Sequence, residues 1–180
     1  MSSRLTGRAA LRLLLATLLL GGCMPDLKSE RPPERIYWLE GTTLDAPPDV
    51  QPVVAVAPGL DTDRIWRLEA DQRLNYYAGA FWPDNLRPLL ASHMDRAFLA
   101  AGRGPELSIL LERFFAVDRG EGLAPSVEVR ALFGVAGERC VFEAATEANG
   151  ARLRDIVAAH QEMLDALTRA AARTAEQGCS

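Results

Sequence analysis

The 180-residue sequence lacks the local motifs that mark most enzymes. It has no serine in a nucleophile elbow, no paired-cysteine motif and no phosphate-binding glycine loop, and Gly120-Glu121-Gly122 is only a turn signal. Its two histidines, His93 and His160, fall in the apolar stripes of predicted helices, with no second histidine or carboxylate at metal-ligand spacing. We therefore expect a protein that is not an enzyme and that uses no cofactor or metal.

Basic segments are also missing. The chain has 20 Lys and Arg against 24 Asp and Glu, a formal net charge of −4. Three arginines, Arg4, Arg8 and Arg12, lie in the first 22 residues, which contain no acidic residue, so residues 23–180 carry −7. An acidic chain without a basic block argues against nucleic acid or an anionic surface as the main partner.

The main apolar run, LLLATLLL, begins at Leu13 and covers about 8–10 residues, too few for a bilayer-spanning helix of about 20. The basic leader before it and the small residues after it are typical of a secretory signal peptide. Leu20-Gly21-Gly22-Cys23 also resembles the bacterial lipobox, whose cysteine thiolate receives a diacylglycerol. This pattern predicts that residues 1–22 are cleaved and that Cys23 is the lipid attachment site. The alternative is an ordinary signal peptide with an incidental cysteine.

Cleavage before Cys23 leaves 158 of the 180 residues, about one domain. Residues 23–35 are polar and contain three prolines, which predicts an acylated N-terminus followed by a flexible tether, and residues 36–180 form the domain. Met24, rather than aspartate, follows the cysteine. By the sorting rules of enteric-type lipoproteins this predicts the outer membrane, facing the periplasm, and inner-membrane retention is the less favoured alternative.

Only three cysteines occur in the chain, and acylation of Cys23 leaves Cys140 and Cys179. In an oxidising periplasm such a pair permits a disulfide between a strand and the end of the chain. The alternative is a buried free Cys140 and an exposed terminal thiol.

Strand patterns dominate the first half of the domain. We expect strands at Ile36–Leu39 and, fully buried and central, at Val53–Val56. Residues 64–70 and 73–78 predict a hairpin in which Leu74 and Tyr76 share one face while Asn75 and Tyr77 share the other. A helix is predicted to open at Trp82-Pro83-Asp84 and to stop at Gly102.

The second half predicts three strands and a long helix. The strands are expected at 106–117, 126–135 and 138–146, the last two joined by a tight turn at Ala136-Gly137, and the helix at about 151–176. Cys140 is expected to face the core. The order of elements predicts an α+β fold: a single domain whose mixed or antiparallel sheet carries two main helices on one face.

Residues 57–101 resemble the hallmark block of the ABC-type transport auxiliary lipoproteins, the PqiC-like family. The lipobox and Tyr37-x-Leu39 agree with that family, and Pro83 departs from it, because a small residue usually follows the tryptophan. The resemblance covers the chain from the leader to about Gly102, and the remainder matches only in pattern. The matching segments are Pro58-Gly59-Leu60-Asp61, Arg64-Ile65, Leu74-Asn75-Tyr76-Tyr77, Trp82 and the leucine-spaced helix from Leu86.

The resemblance implies a non-catalytic, membrane-anchored lipoprotein of an ABC and MCE-type intermembrane lipid-transport system. Its partners would be an MCE-domain protein, the ABC permease and ATPase, and the membrane, with homo-oligomers known in the family. Tyr76, Tyr77 and Trp82 are the candidate partner contacts, because aromatic side chains dominate interface energetics. We expect Tyr76 and Trp82 to serve packing, and Tyr77 to be the better contact. The alternative function is an envelope assembly or structural lipoprotein.

Overall fold

In a computed structural model of the chain, the structure describes residues 33–98 and 104–179. The predicted signal peptide, the lipid attachment site Cys23, most of the tether and the helix stop at Gly102 lie outside the described residues. From residue 33 onward the described chain belongs to one compact unit.

The described chain folds into a mixed seven-stranded sheet with two helices, which confirms the predicted α+β class. The main strand order is β1-β4-β3-β5-β6-β7, and β2 pairs with β5 outside this order. The strands are β1 (Arg35–Ile36), β2 (Gln51–Val56), β3 (Arg64–Leu68), β4 (Leu74–Phe81), β5 (Glu106–Val117), β6 (Ser126–Val135) and β7 (Glu138–Glu147), and the helices are α1 (Leu86–Phe98) and α2 (Leu153–Gln177).

Strand β5 organises the sheet. Along one edge it pairs in parallel first with β2 and then with the end of β3, and along the other it pairs antiparallel with β6. The expectation of a central, fully buried strand at Val53–Val56 is wrong, because β2 has β5 as its one partner strand within the described chain. Only one face of β2 is covered, so Val53 is 43% exposed although the segment is apolar.

The two predicted hairpins are present. β3 and β4 pair antiparallel, and β6 and β7 are joined at Ala136 and Gly137, whose φ angles of 50° and 88° suit a two-residue hairpin turn. β1 is shorter than predicted, because it pairs with only two residues of β4. Beyond it the backbone N–H of Tyr37 still donates to the carbonyl of Phe81 at 2.8 Å.

Both helices cover the same face of the sheet. Alternate residues of the long strands point toward them and are buried, as period-two alternation predicts, and each fully buried Leu or Ile side chain is worth about 1.5–3 kcal/mol. The opposite face carries no helix of the described chain. The largest fully buried side chains of this core include Ile65, Leu86, Leu90, Met94, Leu107, Ile109, Leu111, Phe114, Phe133, Leu164 and Leu167.

Helix α1 begins at Leu86, later than the predicted opening at Trp82. Trp82 is buried, and its backbone N–H donates to the carbonyl of Asp63 at 2.7 Å, so the chain is still tied to the β2–β3 loop there. The first free helical donors are also satisfied by that loop: the N–H of Arg87 donates to Asp61 Oδ1 at 2.9 Å. Asp61 therefore caps the helix from a distant part of the chain.

Candidate functional site

An exposed aromatic surface lies on the helix-free face of β1, β4 and β3. Register neighbours point to the same side of a sheet, and here Ile36 pairs with Phe81, Phe81 with Arg64, and Trp66 with Tyr76. Exposure alternates from Ile36 to Leu39, so the exposed Trp38 points the same way as Ile36. We define the aromatic surface as Ile36, Trp38, Arg64, Trp66, Tyr76 and Phe81.

The guanidinium of Arg64 is held between rings at the centre of this surface. Its Cζ lies 4.3 Å from the centroid of Phe81 and 5.0 Å from that of Tyr76, while Trp66 meets Tyr76 edge-on at 5.9 Å. Its ion pair is with Asp63, at a long 3.5 Å between Nε and Oδ1. The indole N–H of Trp66 is bonded to Thr62 Oγ1 at 3.1 Å. The guanidinium therefore packs against two rings, and Asp63 is its ion-pair partner among the described residues.

The three predicted contact residues are not equivalent. Tyr76 is 43% exposed on the aromatic surface, whereas Trp82 is 3% exposed and packs against Phe114 and His160. Tyr77 lies half-buried on the other strand face, where burial raises its pKa, opposed by the charge of Arg67. The expectation that Tyr76 serves packing differs from its exposure on this surface, and the preference for Tyr77 as a partner contact stays a prediction. Trp82, a core residue as the packing interpretation had it, offers no surface to a partner.

A second surface, the apolar strip, crosses the helix-free face of β2, β5, β6 and β7. Ala55, Leu110, Leu132 and Val141 stand in one register row, one residue from each strand, and Val53 lies in the next row. Four strands at about 4.8 Å spacing give the row a span of about 14 Å. Val141 is 56% and Leu110 37% exposed, so these apolar side chains face solvent. We define the apolar strip as Val53, Ala55, Leu110, Leu132 and Val141.

Small and charged residues border this strip. On one side Gly134 faces Ser108, and a side chain at position 134 would bring its Cβ within 2.4 Å of Ser108 Oγ. A depression of about 210 Å³ there is lined by Leu110, Leu132 and Gly134. On the other side Arg130 pairs with Glu112, at 2.7 Å, and with Glu143. The hydrogen bond that Arg130 donates to Glu112, followed by the charge of Glu143, raises the pKa of Arg130. An apolar area with a polar rim is the usual anatomy of a protein contact surface.

Cys140 and Cys179 form a disulfide, with their Cα atoms 5.4 Å apart. The bond joins β7 to the residues that follow α2, across 39 positions of sequence. Cys140 is half-buried toward the helices, as expected from its place in the strand.

His93 belongs to a polar cluster between α1, α2 and the β1–β2 connection. Its Nε2 lies 3.1 Å from the hydroxyls of Thr42 and Thr168, which donate their hydrogens to Asp165 and to the carbonyl of Leu164. The Nε2–H must therefore be the donor, which leaves Nδ1 unprotonated and without a partner. Burial, reinforced by Arg96 and opposed by Asp165, lowers the pKa of His93 to about 4.

His160 is fully buried between two rings. Its centroid lies 5.0 Å from that of Phe114 and 5.4 Å from that of Trp82, and its Nδ1–H donates to the carbonyl of Ile156 at 2.9 Å. Burial lowers its pKa to about 4, an effect that the bond to Ile156 opposes. Both histidines therefore stay neutral and serve packing near pH 7.

Within residues 33–98 and 104–179, no group of three or more His, Cys, Asp or Glu side chains is placed to hold a metal ion. Neither helix in those ranges is long and apolar enough to cross a bilayer.

The sequence interpretation missed most of both surfaces. The alternation in β6 and β7 did signal one apolar residue on each polar face, Leu132 and Val141, but the row exists only because four strands stand in register. Trp38 falls in the strand predicted at Ile36–Leu39, although β1 ends at Ile36. The stacked Arg64 carries no local signal, because Phe81 comes from the partner strand.

The fold defines a class of α+β domain known from solved structures. A crystal structure of a protein from Xanthomonas campestris, described as DUF330, matches with a TM-score of 0.63 and 24% identity over 80% of this chain and 96% of that one. A second crystal structure, of an uncharacterized protein, gives 0.60 and 14% over 78% and 97%. No family model and no curated protein matches the sequence. At these identities the likeness establishes the fold.

Proposed function

We propose that this protein is a non-catalytic, membrane-anchored lipoprotein that docks an MCE-domain protein in an ABC-type system moving phospholipids between the two membranes of a bacterial envelope. The mature chain would be acylated at Cys23 and sit at the outer membrane, facing the periplasm. Its part in lipid movement is to hold a transport partner at a fixed place, which requires a contact surface and a lipid anchor.

Two lines of sequence and fold likeness support this function. The block from Pro58 to Trp82 resembles the auxiliary lipoproteins of such systems, and the DUF330 description of one structural neighbour refers to the family of the PqiC-like lipoproteins. The structure also gives part of the block a physical role. Asp61 caps α1 and Leu60 is buried, so these residues hold the β2–β3 loop against the helix.

The apolar strip is the observation that carries the docking role. Its five side chains come from four strands in register, so the strip is rigid and needs no rearrangement before binding. The ion pairs of Arg130 close one border, and that border can remain hydrated in a complex. We place the MCE-domain protein on this strip, which leaves the aromatic surface available for a different contact.

Co-purification from detergent extracts tests the proposal. The tagged, lipidated protein should capture an MCE-domain protein, identified by mass spectrometry, and Val141→Glu should lower its yield roughly tenfold or more, because a charge would be buried in the contact. Leu123→Glu is the matched control: Leu123 is 53% exposed but lies in the β5–β6 connection, outside the strip. Capture should survive that change.

The competing function is an envelope assembly or structural lipoprotein. Capture of peptidoglycan or of another envelope complex, with no MCE-domain protein in the lipidated sample, would favour it and remove the transport proposal. Mass spectrometry of the N-terminus tests the anchor separately: an intact Met1 or an unmodified Cys23 in membrane extracts contradicts acylation.

A further inference from the structure

We propose that the aromatic surface rests on the phospholipid headgroup layer, so that the domain is oriented by a second, non-covalent membrane contact beside its lipid anchor. The inference goes beyond docking of a protein partner, and it rests on the anchor of the proposed function only for its setting in the cell.

The aromatic surface exposes large apolar side chains to solvent. Trp38 is 72% exposed and Ile36 62%, the two highest values among the large apolar residues of the described chain, and Tyr76 is 43% exposed beside them. Exposure of an indole ring to water is unfavourable in free energy, whereas tryptophan and tyrosine concentrate at the headgroup level of bilayers. An aliphatic side chain next to them adds buried area on the acyl side of that level.

Arg64 places a guanidinium among these aromatic rings. Its Cζ lies against the rings of Phe81 and Tyr76, and within the described residues its ion pair is with Asp63, at 3.5 Å between Nε and Oδ1. A planar guanidinium that is partly exposed beside two rings suits a phosphate diester, and long basic side chains at an interface keep their charge at headgroup level. The chain as a whole is acidic, so the matching surface is zwitterionic rather than strongly anionic.

The chain enters the domain at the aromatic surface. β1, the first described strand, supplies Ile36 to the aromatic surface and is followed by Trp38. Thirteen residue steps separate Cys23 from Ile36, which span at most about 45 Å even when fully extended. An anchor at Cys23 therefore keeps β1, and with it Ile36 and Trp38, within about 45 Å of the bilayer surface.

Fluorescence on vesicles tests the orientation. Residues 23–180 contain three cysteines, two of them in the disulfide, so Cys23 can be coupled chemically to a maleimide-headgroup lipid whatever its natural modification. The coupled protein is placed on phosphatidylcholine and phosphatidylethanolamine vesicles, with or without lipids brominated near the glycerol end of the acyl chain. We expect brominated lipid to quench part of the tryptophan emission, and we expect Trp38→Phe to remove most of that quenching, since Trp66 is the less exposed of the two tryptophans on this surface.

A matched control places a tryptophan on the other surface. In the Trp38→Phe background, Val141→Trp should add no quenching, because β7 and β1 stand at opposite ends of the strand order, about 24 Å apart. Both substituted positions are exposed, so the fold should survive, as circular dichroism can verify. Arg64→Gln should reduce the quenching of Trp38, since it removes the phosphate contact and retains a polar side chain.

Two results would overturn the inference. One is an emission of Trp38 that is equal on brominated and unbrominated vesicles. The other is shielding of Trp38 from aqueous acrylamide only after the MCE-domain protein is added, which would assign the aromatic surface to a protein contact. Because the coupling is chemical, neither result depends on whether Cys23 is acylated in the cell. The proposed acylation and the proposed orientation of the domain are therefore tested independently.

Discussion

At the scale of single residues, the two buried histidines determine how the fold responds to acid. Each imidazole has one ring nitrogen bonded and one without a partner, so the neutral form fits its site and the charged form does not. In the unfolded chain the same groups titrate near 6.5, whereas burial lowers the pKa of each to about 4 in the fold.

The unfolded state therefore binds more protons between those two values, and stability should fall as the pH drops from 6.5 toward 4. The expected slope is about 1.4 kcal/mol per pH unit for His160, with His93 adding to it. Urea denaturation at about pH 7 and about pH 5 measures the loss, and in His160→Leu the slope should be smaller by about that amount. A proton resonance titration that shows the ring of His160 charged in the folded protein at about pH 6 would contradict the assignment.

At the scale of elements, helix α1 depends on a cap that its own sequence does not supply. Asp61 accepts the backbone N–H of Arg87 and also pairs with its side chain at 3.3 Å. Asp61→Ala should cost about 1 kcal/mol of stability, the usual cost of losing a capping carboxylate. Asp95→Ala is the control, because Asp95 is exposed on the same helix. Thermal or urea denaturation of the two variants checks this, and equal stabilities would mean that Asp61 has no capping role.

The disulfide closes a loop of 39 positions between β7 and the end of α2. Loop-closure entropy for that length predicts that Cys140→Ser with Cys179→Ser lowers the stability by about 4 kcal/mol. Urea denaturation of the oxidised protein and of the double variant measures the difference. Thiol titration of the unfolded wild type is the control, since two reactive thiols in addition to Cys23 would show that the bond is not formed.

Most elements could be predicted because their signals are local. The alternation in β5, β6 and β7 and the stripe of α2 follow from periods of two and of 3.6 residues, and Ala136-Gly137 marks its own turn. The errors come from long-range pairing. The run Val53–Val56 does not itself show that β5 is its one partner strand in the described chain or that α1 covers only one of its faces. The start of α1 depends on Asp61, a residue in a different loop.

At the scale of the whole molecule, the two candidate surfaces occupy different parts of one helix-free sheet face. The apolar strip lies where β2 meets the first half of β5, and the aromatic surface lies on β1, β4 and β3, which join β5 only near its end. The ion pairs of Glu112, Arg130 and Glu143 border the strip on the side toward that end. A protein partner and a lipid surface could therefore be contacted by one domain without competing for the same residues.

Independence of the two surfaces is itself a prediction. Val141→Glu should weaken capture of the MCE-domain protein and leave quenching of Trp38 by brominated lipid unchanged, while Trp38→Ser should leave capture unchanged. Residues so far apart and without shared contacts usually act additively, within about 0.5 kcal/mol. A double variant whose capture falls well beyond that of Val141→Glu alone would show that the two surfaces belong to one contact.

The bond between Cys140 and Cys179 also bears on how the protein can be produced. Strand β7 is one of the edges of the sheet in the described part of the chain, and such an edge can pair with the same edge of another molecule unless charges or covering segments prevent it. The residues after α2 are fastened against β7 by the disulfide and by the backbone N–H of Cys179, which donates to Glu138. Synthesis in a reducing compartment would leave Cys140 and Cys179 unbonded and release this tail from β7, so the less stable fold should open more often and yields there should be limited by aggregation.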